Sequence, residues 1–141
     1  MKFDYFKFAF PKRPSALGKV VFKPIIPIKI IFGQRFVGYN ALIDSGADFS
    51  IFHSEIGEAL DIDVESGEIL KFGGVQKGEP SVAYLHRIKL DIGGWQYETV
   101  VGFSHDIARY SYGILGQHGF FDTFKVTFDR IKEERSEEHT V

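Results

Sequence analysis

The sequence predicts an all-β fold, a barrel or a sandwich with one or two short helical turns. Fifteen of the 141 residues are phenylalanine, and aromatic side chains pack well on the pleated surface of a sheet. Short alternating apolar runs are separated by turns that contain glycine or proline, as in proteins built from many short strands. The length and the 44% hydrophobic content fit one domain with its own core.

The first predicted strand lies in the N-terminal segment, residues 1–18. Phe6, Phe8 and Phe10 alternate with other residues, which places the three rings on one face of a strand. Pro11 then ends the strand, because proline cannot donate to a sheet.

Further strands are predicted on both sides of a hairpin turn at Gly33. Residues 19–32 form one or two strands, and Pro24 and Pro27 confine that part to an edge or a bulge. The next strand follows the turn and ends at Asp44.

The second half of the chain begins with a predicted short helix, "SEIGEALDI", with Ser54 as its N-cap. Two strands around a glycine-containing turn at 73–78 follow, and a turn at 93–94 leads into another strand. An apolar strand, a helical turn and an alternating strand complete the fold. The polar residues 131–141 are interpreted as a disordered tail.

Composition excludes several classes of function. The net charge of −2 gives no electrostatic footprint for nucleic acid or an anionic membrane. Without cysteine there is no disulfide and no thiolate nucleophile. No apolar run approaches the roughly 18 residues of a membrane span, and charges interrupt the N-terminus where a signal peptide is apolar. Five scattered histidines give no metal-binding pattern. We expect a cytoplasmic protein without cofactor or metal.

The most informative stretch is "LIDSGADFSIF", in which Asp44 ends an apolar strand. Burying a carboxylate there is costly unless it is hydrogen-bonded. Ser45 offers a hydroxyl, and Gly46 lets a backbone amide approach. Such a turn suits an aspartate that is held in place for chemistry. The three residues alone are weak evidence, since about one chain in fifteen of this length contains Asp-Ser/Thr-Gly by chance.

The longer stretch resembles the catalytic loop of retropepsin-like aspartic proteases, the single-domain, half-size relatives of pepsin. Two more segments follow in the order of that family. "FGGVQKG" lies between two predicted strands, where the family has its flap, and "GILGQHGFFDTFKVTFD" resembles the apolar-apolar-Gly segment and short helix that close the fold. The resemblance covers residues 20–129 and implies a closed, barrel-like acid-protease domain over 19–130 with one catalytic loop per subunit.

The resemblance implies an aspartic endopeptidase, a hydrolase that acts as a homodimer. Because the chain has a single Asp-Ser/Thr-Gly, Asp44 of each subunit would meet its copy on a two-fold axis. One carboxylate would activate a water and its protonated partner would act as general acid. By the same resemblance, Ser45 hydrogen-bonds across the dimer axis and Gly46 presents its backbone to the substrate.

The implied substrate is an extended peptide that lies like an added strand between the loops and the flap. The residues that would contact it are Ala47, Asp48, Gly73, Gly74, Val75 and Gln76. The residues that would support the site structurally are Ile114, Leu115 and Gly116. Phe6, Phe8 and Phe10 are candidates for a strand that ties the dimer together, and the segment 1–18 is alternatively a removable pro-region.

Two positions depart from the viral members of that family. They often carry an arginine and then an aspartate or asparagine where this chain has Gln117 and His118, so an ion pair made by that arginine is absent. The alternative function is a dimerisation or peptide-binding module with weak or no catalysis. Intact Asp44, Ser45 and Gly46 favour catalysis. A cation loop around Asp44 lacks the further oxygen ligands that it would need.

Overall fold

The computed structural model describes residues 1–73, 78–108, 112–131 and 134–139. Within them the chain forms twelve strands and one α-helix. In chain order these are β1 (Lys2–Asp4), β2 (Phe6–Ala9), β3 (Val20–Lys23), β4 (Ile25–Phe32), β5 (Arg35–Ile43), β6 (Ile51–His53), α1 (Ser54–Ala59), β7 (Glu68–Phe72), β8 (Ser81–Ile92), β9 (Trp95–Ser104), β10 (Gly113–Leu115), β11 (Phe124–Asp129) and β12 (Glu134–His139). The all-β prediction is confirmed.

Six strands close a barrel in the order β4, β5, β10, β6, β9, β8. The ring closes because β4 pairs along its whole length with β5, while its second half, around Ile30, also pairs with β8 around Leu90. Strand β7 extends the sheet beyond β8. Closure removes most of the exposed sheet edge. The closed barrel agrees with the predicted fold class.

The sequence predicted an edge or a bulge at Pro27. In the described structure Pro27 lies in a part of β4 that pairs with one neighbouring strand. It is opposite Asn40 of β5, whereas the pairing of β4 with β8 covers only residues 29–31. Proline is tolerated there because no second strand requires its missing N–H.

The barrel interior is filled by the alternating apolar residues of its strands. Ile26, Ile28 and Ile30 of β4 all point inward and are buried. Phe52 of β6 meets Phe103 of β9 with 6.2 Å between ring centroids. Full burial of side chains of this size contributes roughly 1.5–3 kcal/mol each.

Helix α1 begins one residue earlier than predicted. His53, and not Ser54, is the N-cap, and its Nδ1 accepts a hydrogen bond of 3.1 Å from the amide of Glu55. The Ser54 hydroxyl is buried and pairs with Nδ1 of His105 at 2.7 Å. Gly57 is required inside the helix, because a Cβ there would lie 2.8 Å from Val64.

The helical turn that was predicted before the last alternating strand is present as a single turn. The amides of Thr123 and Phe124 both donate to the carbonyl of Phe120 at 2.9 Å. The chain then enters β11 directly. The β-structure that follows therefore limits this segment to a single turn.

The chain termini form two small sheets outside the barrel. Strand β12 pairs with β1 on one side and β11 on the other. The prediction of a disordered tail is therefore wrong over Glu134–His139. One of its two partners, β1, lies at the other end of the chain, and composition does not reveal such a pairing. No helix in the described residues is long and apolar enough to cross a membrane.

The second small sheet is a two-stranded hairpin of β2 and β3, which we call the N-terminal ribbon, residues 6–23. Phe6 pairs with Lys23, and Phe8 with Val21. The rings of Phe6, Phe8 and Phe10 follow one another at 6.4 Å on one face, as the sequence predicted. The ribbon joins the predicted N-terminal segment to the first strand of the predicted protease domain.

Candidate active site

The position of Asp44 follows from the way β5 and β6 are joined. These consecutive strands are not neighbours, because β10 lies between them, parallel to β5 and antiparallel to β6. The segment between them, residues 44–50, is named here the Asp44 loop. Since adjacent strands are about 4.8 Å apart, the loop must span about 10 Å across the end of β10.

The Asp44 carboxylate is half-buried and fixed at one oxygen. Its Oδ1 accepts a hydrogen bond of 2.9 Å from the amide of Gly46. The amide of Asp44 donates to the carbonyl of Leu115 at 3.0 Å, and its carbonyl accepts from the amide of Ala47 at 3.2 Å. The sequence predicted the Gly46 amide in this role, and the structure has it.

The second half of the loop is held by the segment that follows β10. The amide of Gln117 donates to the carbonyl of Ala47 at 2.8 Å, and the amide of His118 donates to the carbonyl of Asp48 at 3.0 Å. Both bonds are to backbone, which leaves the Asp48 side chain exposed. Asp48 therefore presents an exposed carboxylate on the same loop as Asp44.

Ser50 ends the loop and is fully buried, and sequence reasoning missed it. Its hydroxyl donates to the carbonyl of His118 at 2.9 Å and accepts from the amide of Gly116 at 3.1 Å. One side chain thereby satisfies two backbone groups of the β10 segment. The available signal was a serine between Phe49 and Ile51, two residues of an apolar run.

Gly116 allows the loop and the β10 segment to touch. A Cβ at this position would lie 2.5 Å from the carbonyl oxygen of Phe49 and 2.6 Å from that of Ala47. Any other residue would push the backbones apart. Ile114 and Leu115 precede it in β10, so all three residues predicted to support the site lie next to the loop.

The side chain of Gln117 performs a role that the sequence did not predict. Its Nε2 donates to the carbonyl of Ser45 at 2.7 Å. Glutamine occupies the position where viral relatives were expected to carry an arginine. An uncharged amide therefore holds the residue directly after Asp44.

The predicted flap lies between β7 and β8. Gly73 and Gly78 have positive φ angles of 67° and 84°, a backbone conformation that favours glycine. The predicted contacts Gly74, Val75 and Gln76 lie outside the described residues. On the β7 side, Phe72 packs edge-on against Phe49 of the Asp44 loop at 5.7 Å between ring centroids.

The β8 side of this hairpin is anchored at Val82. Its amide donates to Oδ2 of Asp106 at 2.8 Å, and its carbonyl accepts from the hydroxyl of Ser104 at 2.6 Å. The Ser104 hydroxyl in turn accepts from the Asp106 amide at 3.0 Å. Ser104, the last residue of β9, and Asp106, just after it, therefore fix the start of β8, and nothing in the local sequence indicates this.

Two titratable groups near these elements have shifted pKa values. The hydrogen bond of 2.8 Å from His105 lowers the pKa of the exposed Glu65 carboxyl. Burial raises the pKa of Tyr97, and the charge of Asp122 adds to the shift. The Tyr97 hydroxyl donates to the carbonyl of Gly119 at 2.6 Å. Tyr97 is therefore a neutral donor that supports the turn after β10.

Among the residues that the structure describes, no group of three or more histidine, aspartate or glutamate side chains is placed to hold a metal ion. The chemistry available at the Asp44 loop is that of the Asp44 and Asp48 carboxylates, the Ser45 hydroxyl and backbone amides.

Comparison with solved structures identifies the fold. A retropepsin-like aspartic protease from Rickettsia conorii superposes with a TM-score of 0.54 at 12% identity, over 98% of this chain and 99% of that one. The EIAV protease bound to an inhibitor gives a TM-score of 0.47 at 19% identity, over 67% of this chain and 82% of that one. No protein-family model and no curated protein sequence matches. The chain has the retropepsin-like fold, as the sequence predicted.

Proposed function

We propose that this protein is an aspartic endopeptidase that works as a homodimer. The observation that carries the proposal is the Asp44 loop, in which an amide fixes one carboxylate oxygen. Backbone hydrogen bonds from the segment after β10 hold the rest of the loop. The loop also contacts the hairpin between β7 and β8 through Phe49 and Phe72, and that hairpin has glycines with positive φ at its base.

The reaction requires two carboxylates, and one chain supplies a single Asp-Ser/Thr-Gly. Two copies related by a two-fold axis would bring their Asp44 side chains together. Carboxylates at hydrogen-bonding distance cannot both ionise easily, so the pair shares one proton. The pair then contains one general base and one general acid at the same time.

In the proposed reaction the ionised Asp44 takes a proton from a water molecule as the water oxygen attacks the scissile carbonyl carbon. The protonated Asp44 of the other subunit gives its proton to the carbonyl oxygen. The tetrahedral intermediate then breaks its C–N bond. The leaving nitrogen takes a proton from one Asp44, the other Asp44 takes a proton from a hydroxyl of the intermediate, and the pair again holds one proton when the amine and the new acid leave. No covalent bond to the enzyme forms.

The remaining predicted residues have positioning roles in this proposal. Ser45 hydrogen-bonds across the dimer axis, and Gly46 offers its backbone to the substrate. Ala47 and Asp48 contact an extended peptide that lies as an added strand. The hairpin between β7 and β8 closes over the peptide, with Gly73 and Gly78 absorbing the change of backbone angle.

The test is cleavage of a diverse peptide mixture from acidic to neutral pH by the wild type and by Asp44→Asn. We expect Asp44→Asn to lose activity by about a thousandfold, because general acid–base groups contribute on the order of 10²–10⁴. Asp61→Asn, the same change at an exposed aspartate with a positive φ of 63°, is the matched control and should cut like the wild type.

Cuts made equally by the wild type and Asp44→Asn would contradict the proposal. So would the absence of any cut while both proteins remain folded dimers, a result that would instead favour the peptide-binding module.

A further inference from the structure

The N-terminal ribbon differs in charge from the rest of the molecule. Residues 1–23 contain six lysines or arginines and one aspartate, a net charge of +5, whereas the rest of the chain has a net charge of −7. The total of −2 conceals this separation. A basic segment on an acidic body gives the molecule a strong charge asymmetry, which acts on any charged surface that it approaches.

The tip of the ribbon, residues 10–20, also exposes large apolar side chains. Leu17 is 62% exposed, Phe10 43% and Val20 38%. The 3-10 turn at Ser15–Leu17 contains no buried residue. Exposed apolar side chains that cluster at one tip indicate an interaction surface.

The cations of the tip lie among these apolar side chains. Lys12 and Arg13 flank a shallow groove of about 640 Å³ whose apolar lining includes Phe10 and Val21. Lys19 lies opposite Phe10 in the hairpin, and the carbonyl of Lys19 accepts a hydrogen bond from the amide of Phe10. The tip contains no acidic residue. Apolar side chains and cations therefore share one surface.

We propose that the ribbon tip docks on an anionic lipid surface. Leu17 and Phe10 enter the interface between headgroups and acyl chains, and Lys12, Arg13 and Lys19 lie against the lipid phosphates. Apolar burial and electrostatic attraction combine in this way in proteins that bind at the surface of a membrane without crossing it. The net negative barrel is repelled by the same surface, so the Asp44 loop and its flap stay on the water side.

Three other occupants fit these observations less well. The first is a second copy that contacts the ribbon through its own ribbon, which is the role predicted for Phe6, Phe8 and Phe10 in the dimer. That contact would place two net charges of +5 together, and like charges across an interface are unfavourable. An added acidic peptide strand would use the edges of β2 or β3 and not the turn. Single-stranded nucleic acid stacks on aromatic faces, whereas Leu17 is aliphatic and Lys23 lies 5.6 Å over the Phe8 ring.

The test is co-sedimentation with vesicles of phosphatidylcholine alone or mixed with phosphatidylserine. We expect binding only to the mixed vesicles, weakened by salt because the attraction is screened. Lys12→Glu with Lys19→Glu should reduce the partition coefficient about tenfold or more, since each basic residue near such a surface contributes about fivefold. Leu17→Ser should reduce it several-fold.

Matched controls lie on the β4–β5 hairpin. Lys29→Glu and Phe36→Ser change an exposed lysine and an exposed phenylalanine of the barrel and should leave vesicle binding unchanged. Insertion itself is measured with Leu17→Trp in a Trp95→Phe background, which places the single tryptophan at the tip. Its fluorescence should shift to the blue with mixed vesicles only.

The proposal is overturned if the wild type does not bind mixed vesicles at low salt, if it binds both vesicle types equally, or if the control variants lose as much binding as the tip variants. Tighter binding to poly-glutamate or a single-stranded oligonucleotide than to vesicles, with the same tip dependence, would also overturn it. None of these measurements depends on peptidase activity, so the two proposals fail independently.

Discussion

The Asp44 loop joins two strands that are not neighbours, whereas the N-terminal ribbon is a hairpin of two paired strands, and the two regions are supported in opposite ways. The loop is held by a segment about 70 residues further along the chain, through backbone bonds at Asp44, Ala47 and Asp48. Within the described residues, the strands of the ribbon pair only with each other, and the tip of the ribbon is exposed. The molecule is therefore rigid where we propose chemistry and exposed where we propose docking.

The largest effect on the support of the Asp44 loop is expected from a substitution at Gly116. Gly116→Ala would drive a methyl group into the carbonyls of Phe49 and Ala47, so we expect the free energy of unfolding to fall by about 3 kcal/mol. Urea unfolding measures this. Gly38→Ala is the matched control, because a Cβ there meets nothing within 4 Å. Equal stability of the two variants would show that the close approach at Gly116 is not needed.

A smaller effect is expected at Gln117, which touches the loop through its side chain. Gln117→Glu keeps the shape but removes the donor to the Ser45 carbonyl, and a lost hydrogen bond of this kind is worth about 1 kcal/mol. We expect kcat to fall about fivefold to tenfold with KM nearly unchanged and the fold intact. Gln34→Glu in the exposed β4–β5 turn should have no effect. A wild-type kcat in Gln117→Glu would remove the residue from the positioning of the loop.

The smallest effect is expected at Glu65, whose side chain is exposed but hydrogen-bonded to His105. Its lowered pKa means that the folded state favours the ionised carboxyl. That stabilisation is present above the ordinary pKa of 4.5 and is lost as the pH falls through the lowered value. In thermal unfolding, the Tm of the wild type should lie slightly above that of Glu65→Gln at pH about 6. The difference should shrink once the pH falls below 4.5 and vanish below the lowered pKa of the folded state. Glu58→Gln should show no such trend, and a difference that persists in acid would contradict this account.

The residues of the Asp44 loop were easier to predict from the sequence than the residues that support the site. Asp44, Ser45 and Gly46 are adjacent, and the amide bond to the carboxylate spans two residues, so a local pattern contains it. Ser50, Ser104 and Asp106 act on backbone groups of other strands. The role of Ser50 depends on the placement of β10 between β5 and β6, and the roles of Ser104 and Asp106 depend on the pairing of β9 with β8. Both are properties of the folded topology.

The terminal sheets show the same limit. The alternation of Phe6, Phe8 and Phe10 predicted a strand with one aromatic face, and the structure has it. The polar composition of the tail predicted disorder, and β12 contradicts it because its partners are β1 and β11. Net charge has the same limit, since a sum over the chain contains no information about where the charges lie.

The central claim is that each active site uses one Asp44 from each of two subunits, and subunit mixing tests it most directly. Wild type and Asp44→Asn are mixed in varying proportion at constant total concentration, after exchange under conditions that favour the dimer, and peptide cleavage is measured. If subunits pair at random, an equal mixture should retain about a quarter of the wild-type activity, because activity follows the square of the wild-type fraction. Retention of about half, in proportion to the wild-type fraction, would mean that each chain acts alone and would contradict the shared site.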